Sequence, residues 1–343
     1  MTEVSASPPI EPPSRPIGRR TTLVADPQRD GRLLGVDVWY PAVPSGQPKS
    51  EYVLFPGVSF MAAAAQHEPP PAPGRFPLIL FSHGRTGMRF TYSLLCEALA
   101  ARGAIVVSAD HPGDALTDWL LGSFVDDRTN EMNRVGDAHA LLAELRPEGT
   151  VLPPDLLAAI DHDRVALAGH SYGAYTALAT AAGARGVPAH DRVRAVACLQ
   201  PYTRSMSDGA LGRVTVPALL VVSERDTSTP ASTDADRPWA LLRGSPTWRV
   251  DLAGAAHQAS SDMGLYSELA RQMPSLPDFV REYLEATAPD AVGAGLRPWR
   301  ELLATQVEIV WAFLQIALDI DPTTGATEVR RLGAEPGVTV QIR

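Results

Sequence analysis

The chain has 343 residues, a formal net charge of −9, 45% apolar and 20% charged residues. Such a composition suits a globular protein rather than a disordered one. The acidic balance offers no basic field for nucleic acid or an anionic membrane. Of the 30 basic residues only Lys49 is a lysine, which reads as codon bias. Two cysteines, Cys96 and Cys198, are too few for a disulfide framework or a zinc site, and the expected setting is a reducing cytoplasm.

Taken in chain order, residues 1–20 read as a disordered leader, with prolines at 8, 9, 12, 13 and 16 and no apolar stretch of signal-peptide type. Two strand-like runs follow, Thr21–Ala25 and Leu33–Tyr40. Residues 41–75 read as a long Pro/Gly/Ala connection. From residue 76 apolar runs of strand length alternate with helix-length segments. The strands are expected at Pro77–Phe81, Ala104–Ala109, Arg164–Ala168, Val193–Leu199, Ala218–Val222 and Thr247–Leu252. The helices are expected at Thr91–Arg102, Met132–Leu145, Tyr172–Ala184, Asp234–Leu242 and Glu301–Leu318. Near-continuous apolar strands imply a sheet covered on both faces, and the alternation implies a mostly parallel, right-handedly wound sheet flanked by helices. Residues 259–300, and also 114–135, read as a small cap. The tail 321–343 reads as a hairpin around Gly333–Gly337. The apolar stretch Leu302–Ile320 carries Gln306, Glu308, Gln315 and Asp319, so it reads as an amphipathic helix and no transmembrane segment is expected.

Residues 169–173 spell Gly-His-Ser-Tyr-Gly. The pattern is short, but RVALAG before it and YGAYTALATAAGA after it supply the strand–turn–helix that lifts a serine hydroxyl over a helix N-terminus. Ser171 is therefore the candidate nucleophile. A serine needs a base, and in this architecture acid and histidine follow the serine in that order. Of eight histidines, only His257 follows the last strand of the alternating pattern. Its small neighbours in GAAHQ let the ring reach back to the sheet edge. The acid belongs in a loop after an intervening strand. SERDTSTP supplies Glu224 and Asp226; Asp226, deeper in the loop, is preferred over Glu224 and Asp251 as the partner of the His257 Nδ1–H. An oxyanion needs two N–H donors. The amide of Tyr172 is one, and the amide of Arg85, in the loop SHGRTG after PLILF, is the other. His83 in that loop reads as structural.

These segments, DVWYPA (37–42), FSHGRTG (81–87), VVSADHPG (106–113), GHSYGA (169–174), VVSERDTSTP (221–230) and GAAHQASSD (254–262), resemble the α/β-hydrolase superfamily over residues 22–318. Within it they resemble the group of platelet-activating-factor acetylhydrolases, dienelactone hydrolases and cutinase-like enzymes. The resemblance implies an α/β-hydrolase fold and ester hydrolysis without a cofactor. The chain departs from the mammalian-type acetylhydrolases, whose acid follows the strand after the elbow helix; Cys198–Tyr202 holds no carboxylate there. It also has Arg85 where cutinase-like polyesterases often carry Tyr or Phe. Tyr202 matches their aromatic subsite wall and is carried over as a substrate contact.

Arg85 and Arg89 are weighed as contacts for a substrate anion against solvated arginines in an arginine-rich chain, with Arg89 kept as a substrate-binding candidate. Asp110, Asp114, Asp118, Asp126 and Asp127 lack metal-ligand spacing and read as a solvated loop face. No metal is expected. The sequence thus leads to a serine hydrolase of carboxylic esters acting on a small or lipid-like ester. Amide, lactone or thioester hydrolysis by the same groups, and a catalytically silent binding protein, are the rivals. The triad spans 171–257 and must meet at one sheet edge. The length therefore resolves into one domain over 21–320 with insertions at 41–75 and 259–300, rather than the roughly two domains that length alone suggests.

Overall fold

The structure, a computed structural model, describes residues 15–55, 58–273 and 276–343. The chain opens with β1 (Ile17–Asp26) and β2 (Arg32–Pro41), antiparallel in register from Ile17↔Pro41 to Asp26↔Arg32. A second antiparallel pair follows, β3 (Lys49–Phe55) and β4 (Val58–His67). The alternating part comprises β5 (Phe76–Ser82), α1 (Ser93–Ala101), β6 (Ile105–Ala109), α2 (Leu116–Leu121), α3 (Asp127–Glu144), α4 (Pro154–Ala158), β7 (Ile160–His170) and α5 (Tyr172–Ala182). It continues with β8 (Ala195–Leu199), α6 (Asp208–Leu211), β9 (Ala218–Ser223), α7 (Ala231–Asp234), α8 (Asp236–Leu241) and β10 (Thr247–Leu252). Then come α9 (Met263–Gln272), α10 (Asp278–Thr287), α11 (Pro289–Val292), α12 (Trp299–Ala317), α13 (Pro322–Leu332) and β11 (Val338–Ile342).

Among the described residues all eleven strands join one sheet, in the order β11-β10-β9-β8-β7-β5-β6-β2-β1-β4-β3. The six strands from β10 to β6 are mutually parallel, as the unbroken apolar runs require. β5 shows how both faces are covered: Leu78 and Leu80 enter a core built with α3 and α5, whereas Ile79 and Phe81 enter the opposite core built with α1 and α12. That alternation is the two-residue period of a strand.

Four expectations need correcting. β1 begins at Ile17, inside the expected leader, because Ile17 is buried and Arg19 reaches the buried Asp37 at 2.8 Å; residues 1–14 lie outside the described residues. The connection 41–75 contains β3 and β4. Tyr52 stacks on Phe60 at 4.9 Å across the pair, and the carboxylate of Glu97 on α1 accepts the Ala64 and Ala65 N–H groups. The tail is a helix followed by a strand. Asp321 caps α13 by accepting from Thr324, Pro322 occupies its first turn, and β11 pairs antiparallel with β10. The helix expected over Asp234–Leu242 is broken into α7 and α8 around Ala235.

The β3–β4 pair is pinned by a buried chain in which Trp39 Nε1–H donates to the Tyr52 hydroxyl and that hydroxyl donates to Glu97, each at 2.8 Å. Removing the hydroxyl leaves a buried indole N–H and a carboxylate oxygen short of a partner. Tyr52→Phe is expected to lower the unfolding free energy by about 1–3 kcal/mol, measured as a shift in the urea midpoint at unchanged slope. An unshifted midpoint would show the chain of bonds to be energetically idle.

Candidate active site

The parallel strands end together, and the candidate residues sit at that edge. β7 ends at His170, α5 starts at Tyr172, and Ser171 between them has φ 53° and ψ −117°. A non-glycine residue there stores strain of order 1–3 kcal/mol, tolerated only where surrounding packing enforces it. The flanking glycines supply that packing. A Cβ on Gly169 would lie 2.3 Å from the Gly173 carbonyl carbon, and one on Gly173 would lie 1.8 Å from the Ser82 oxygen. Both positions admit only glycine. The Ser171 N–H donates to Leu199 O, and Ser171 O accepts the N–H groups of Ala174 and Tyr202.

His257, in the loop after β10, brings Nε2 within 3.1 Å of Ser171 Oγ. Its Nδ1 lies 2.8 Å from Asp226 Oδ2. Asp226 sits in the turn after β9. Its Oδ1 accepts the N–H groups of Ser228 and Thr229, and the Thr229 hydroxyl lies 2.8 Å from Oδ2. Burial alone would raise the Asp226 carboxyl, but His257 and the Thr229 donors outweigh it and hold the group below the usual carboxylate range. An ionised Oδ2 can only accept, so Nδ1 carries the proton and Nε2 presents its lone pair to the serine. The rival acids are elsewhere. Glu224 accepts from the Gly254 N–H, and Asp251 pairs with Arg249 within β10.

The loop after β5 lies against the serine: a Cβ on Gly84 would meet Ser171 Cβ at 3.3 Å. The orientation of this loop follows from an arginine absent from the sequence reading. Arg134 of α3, with no exposed surface, pairs with Asp114 at 2.7 Å and donates to His83 O at 2.8 Å and Gly84 O at 3.3 Å. His83 Nδ1 also faces Gly84 O at 2.6 Å, while its Nε2 accepts the His111 N–H. In a trans peptide the C=O and the following N–H point in opposite directions. Holding the Gly84 carbonyl on Arg134 and His83 therefore aims the Arg85 N–H the other way. Among the described residues no protein acceptor meets that N–H. The Tyr172 N–H is likewise free of an intrahelical acceptor, being the first of α5.

Side chains of the other candidates are engaged as follows. The Arg85 guanidinium pairs with Asp114 at 3.1 Å and with Asp127, and lies 4.8 Å over the Tyr172 ring. Arg89 pairs with Asp110 at 2.6 Å and with the buried Asp37 at 3.4 Å, none of which belongs to the Ser171 cluster. The Tyr202 ring stacks on Tyr172 at 4.5 Å and 14°. The acidic run is a solvated face only at Asp126 and Asp127, which are exposed. Asp114 is buried on Arg134 and Asn130, Asp110 holds Arg89, and Asp118 and Asp126 cap α2 and α3. Arg89 neutralises Asp110, and Arg85 and Arg134 neutralise Asp114. No group of metal-ligating side chains occurs among the described residues, nor a helix long and apolar enough to cross a membrane.

His170, the residue before the serine in the pentapeptide, ties the two loops together. Its Nε2–H meets His257 O at 2.7 Å, and its Nδ1 accepts from the Tyr92 hydroxyl at 2.7 Å. That hydroxyl also accepts the Gly84 N–H at 3.4 Å. Burial, with the neighbouring His257, lowers its pKa from 6.5 to about 3. A depressed folded-state value means stability is full above pH 6.5 and is lost as pH falls toward about 3, since only the unfolded chain takes the proton there. His170→Gln should therefore show a shallower loss of urea-unfolding free energy across that window than the wild type, with His83 and His111 present in both. Parallel slopes would mean the ring is protonated in the fold.

A family model described as chlorophyllase matches residues 65–203, a span holding the loop after β5 and the Ser171 elbow but neither Asp226 nor His257. No curated protein matches the chain. A ferulic acid esterase from Streptomyces cinnamoneus, solved at 2.4 Å, is similar over 98% of this chain and 100% of its own, with 25% identity and a TM-score of 0.73. Neither match bears the name of the acetylhydrolase, dienelactone hydrolase or cutinase-like group. The mostly parallel sheet, its flanking helices and this likeness establish the α/β-hydrolase fold for the chain.

Proposed function

We propose that the chain is a serine hydrolase of carboxylic esters. The observation that carries this reading is the continuous contact from Asp226 Oδ2 through His257 to Ser171 Oγ, at 2.8 and 3.1 Å, on a strained elbow beside two free N–H groups. The similarity to an esterase over nearly the whole chain supports it, as does the chlorophyllase match across the elbow.

In this reading Ser171 Oγ attacks the ester carbonyl carbon while His257 Nε2 takes its proton. The amides of Arg85 and Tyr172 hold the oxyanion. Asp226, kept ionised, stabilises the imidazolium and fixes its orientation. Collapse breaks the bond to the alkoxy oxygen, which leaves as the alcohol with the proton from His257. Water, deprotonated by His257, then attacks the acyl-enzyme, releasing the acid and restoring the serine. Tyr202, stacked on Tyr172 with its own N–H on Ser171 O, stands as a wall for the substrate. The engagement of Arg89 with Asp110 and Asp37 argues against its meeting the substrate.

A fluorophosphonate, which esterifies an activated serine with loss of fluoride, should label the wild type and leave Ser171→Ala unlabelled. Asp226→Asn keeps the shape but loses the anionic acceptor, so kcat on p-nitrophenyl esters should fall by about 10⁴-fold. Labelling that persists in Ser171→Ala, or full activity in Asp226→Asn, would reject the assignment.

A further inference from the structure

Between the β3–β4 pair and the helices α9 and α10 lies an apolar cleft holding about 550 Å³ of empty space, counting its open mouth. Neither insertion belongs to the parallel core, and the cleft exists only because both are present. Leu54 and Val58 form one wall, Ala270 and Leu284 the other. The floor is Met88 and Leu116. Met88 stands three residues beyond Arg85, and the Leu116 N–H is bonded to Gly87 O, so the floor is a continuation of the loop that offers the Arg85 N–H to the site.

The chemistry of the lining selects the occupant. Among the described residues no charged side chain lines the cleft. Its two tyrosines spend their hydroxyls on the protein, Tyr283 on Thr86 O at 3.1 Å and Tyr266 on Phe90 O at 3.4 Å, and so present ring surface. A ligand finds little to hydrogen-bond with and much to displace water from. The walls are also held in place. Asp262 at the start of α9 accepts from the Ser93 N–H at 2.8 Å and hydroxyl at 2.6 Å, and Glu97 holds β4.

We infer that this cleft, formed by the β3–β4 pair and α9–α10 against Met88 and Leu116, binds an aliphatic chain of the ester substrate. The inference rests on the proposed hydrolase reading for its use but not for its test. The chain belongs to the acyl or to the alkoxy half of the ester, and each half has its own assay.

Ala270→Trp and Leu284→Trp, on neighbouring helices of one wall and only partly buried, each fill the cleft. Both variants should be labelled by a fluorophosphonate at the wild-type rate and hydrolyse p-nitrophenyl acetate as the wild type does. On p-nitrophenyl octanoate, or on octyl acetate, kcat/KM should fall by about tenfold or more; the series that falls identifies the half. Independently, 1-octanol should bind Ser171→Ala in isothermal titration and bind the Ser171→Ala/Ala270→Trp double variant at least about tenfold more weakly. If octanol binds both proteins alike, or binds neither, the cleft assignment fails whatever the catalytic outcome. If the wild type takes no fluorophosphonate while octanol binding still depends on Ala270, the hydrolase reading fails and the cleft stands. Equal losses on acetate and octanoate with intact labelling also overturn it.

Discussion

At the end of β7 two backbones approach more closely than any side chain would permit, and the rest of the site is arranged around that approach. Gly173 rests on the Ser82 carbonyl at the end of β5, and Gly169 rests on Gly173. With no Cβ at either position, α5 starts immediately above the sheet and against the strand that feeds the next loop. The same contact therefore sets two things. It forces Ser171 into positive φ, and it brings the first N–H of α5 alongside the residues that follow Ser82. Strain at the serine persists because the packing of α5 against β5, β7 and α3 would be lost if the turn relaxed. A separate strained position, Thr86 with φ 59°, lies in that following loop. Its carbonyl is held by Tyr283 and its N–H by Asp114 O.

Around this junction the histidines divide into two electrostatic kinds. His83 and His170 are buried with their pKa values lowered, chiefly by desolvation. Neutral imidazole has one donor and one acceptor, and each of these rings meets one of each: His83 faces Gly84 O and the His111 N–H, His170 faces His257 O and the Tyr92 hydroxyl. A proton added to either would have to point at another donor, at the further cost of a buried charge. They are rigid spacers. His257 differs in facing an ionised carboxylate whose remaining lone pairs are filled by Thr229 and Ser228. Positive charge on that ring is compensated where it arises. Through Gly84–Tyr92–His170–His257 the spacers also join the loop after β5 to the loop after β10, so the two are placed by one set of bonds.

Much of this was legible in the sequence, for identifiable reasons. Strands covered on both faces give unbroken apolar runs, and β5 to β10 each overlap the expected run, with β6 and β8 starting one and two residues later than expected. The elbow is legible because backbone proximity demands glycine at two fixed positions. Asp226 and His257 are legible because strand order confines the partners to few loops. What was missed depends on contacts distant in sequence. In β4 the run MAAAAQH has no strand period, and what fixes it is Glu97, thirty-odd residues later. Arg134 sits in a polar helical stretch whose periodicity resembles any solvated face, and only its burial against Asp114 and the His83 carbonyl distinguishes it. The tail is different. Asp321–Pro322–Thr323–Thr324 is a helix start that can be read directly, and the glycines beyond it drew attention to a hairpin instead.

The core and the insertions contribute differently to the site. Ser171, Asp226, His257 and the loop after β5 all come from the ends of parallel strands, whose spacing is set by the sheet ladder. The cleft beside them is built from the β3–β4 pair and α9–α10, which the ladder of the parallel core does not position. Their anchors converge on α1. Ser93 in its first turn holds Asp262 of the α9 start, and Glu97, one turn later on the same helix, holds β4 and Tyr52. Residues 88–92, which lead directly into α1, carry Met88 of the cleft floor and Tyr92 of the histidine chain. A single helix thus mounts both walls of the cleft and the far end of the loop facing Ser171. Both walls are thus tied to the helix that follows Tyr92, whose hydroxyl is bonded to the Gly84 N–H. The loop facing Ser171 and both walls of the cleft therefore share one mount.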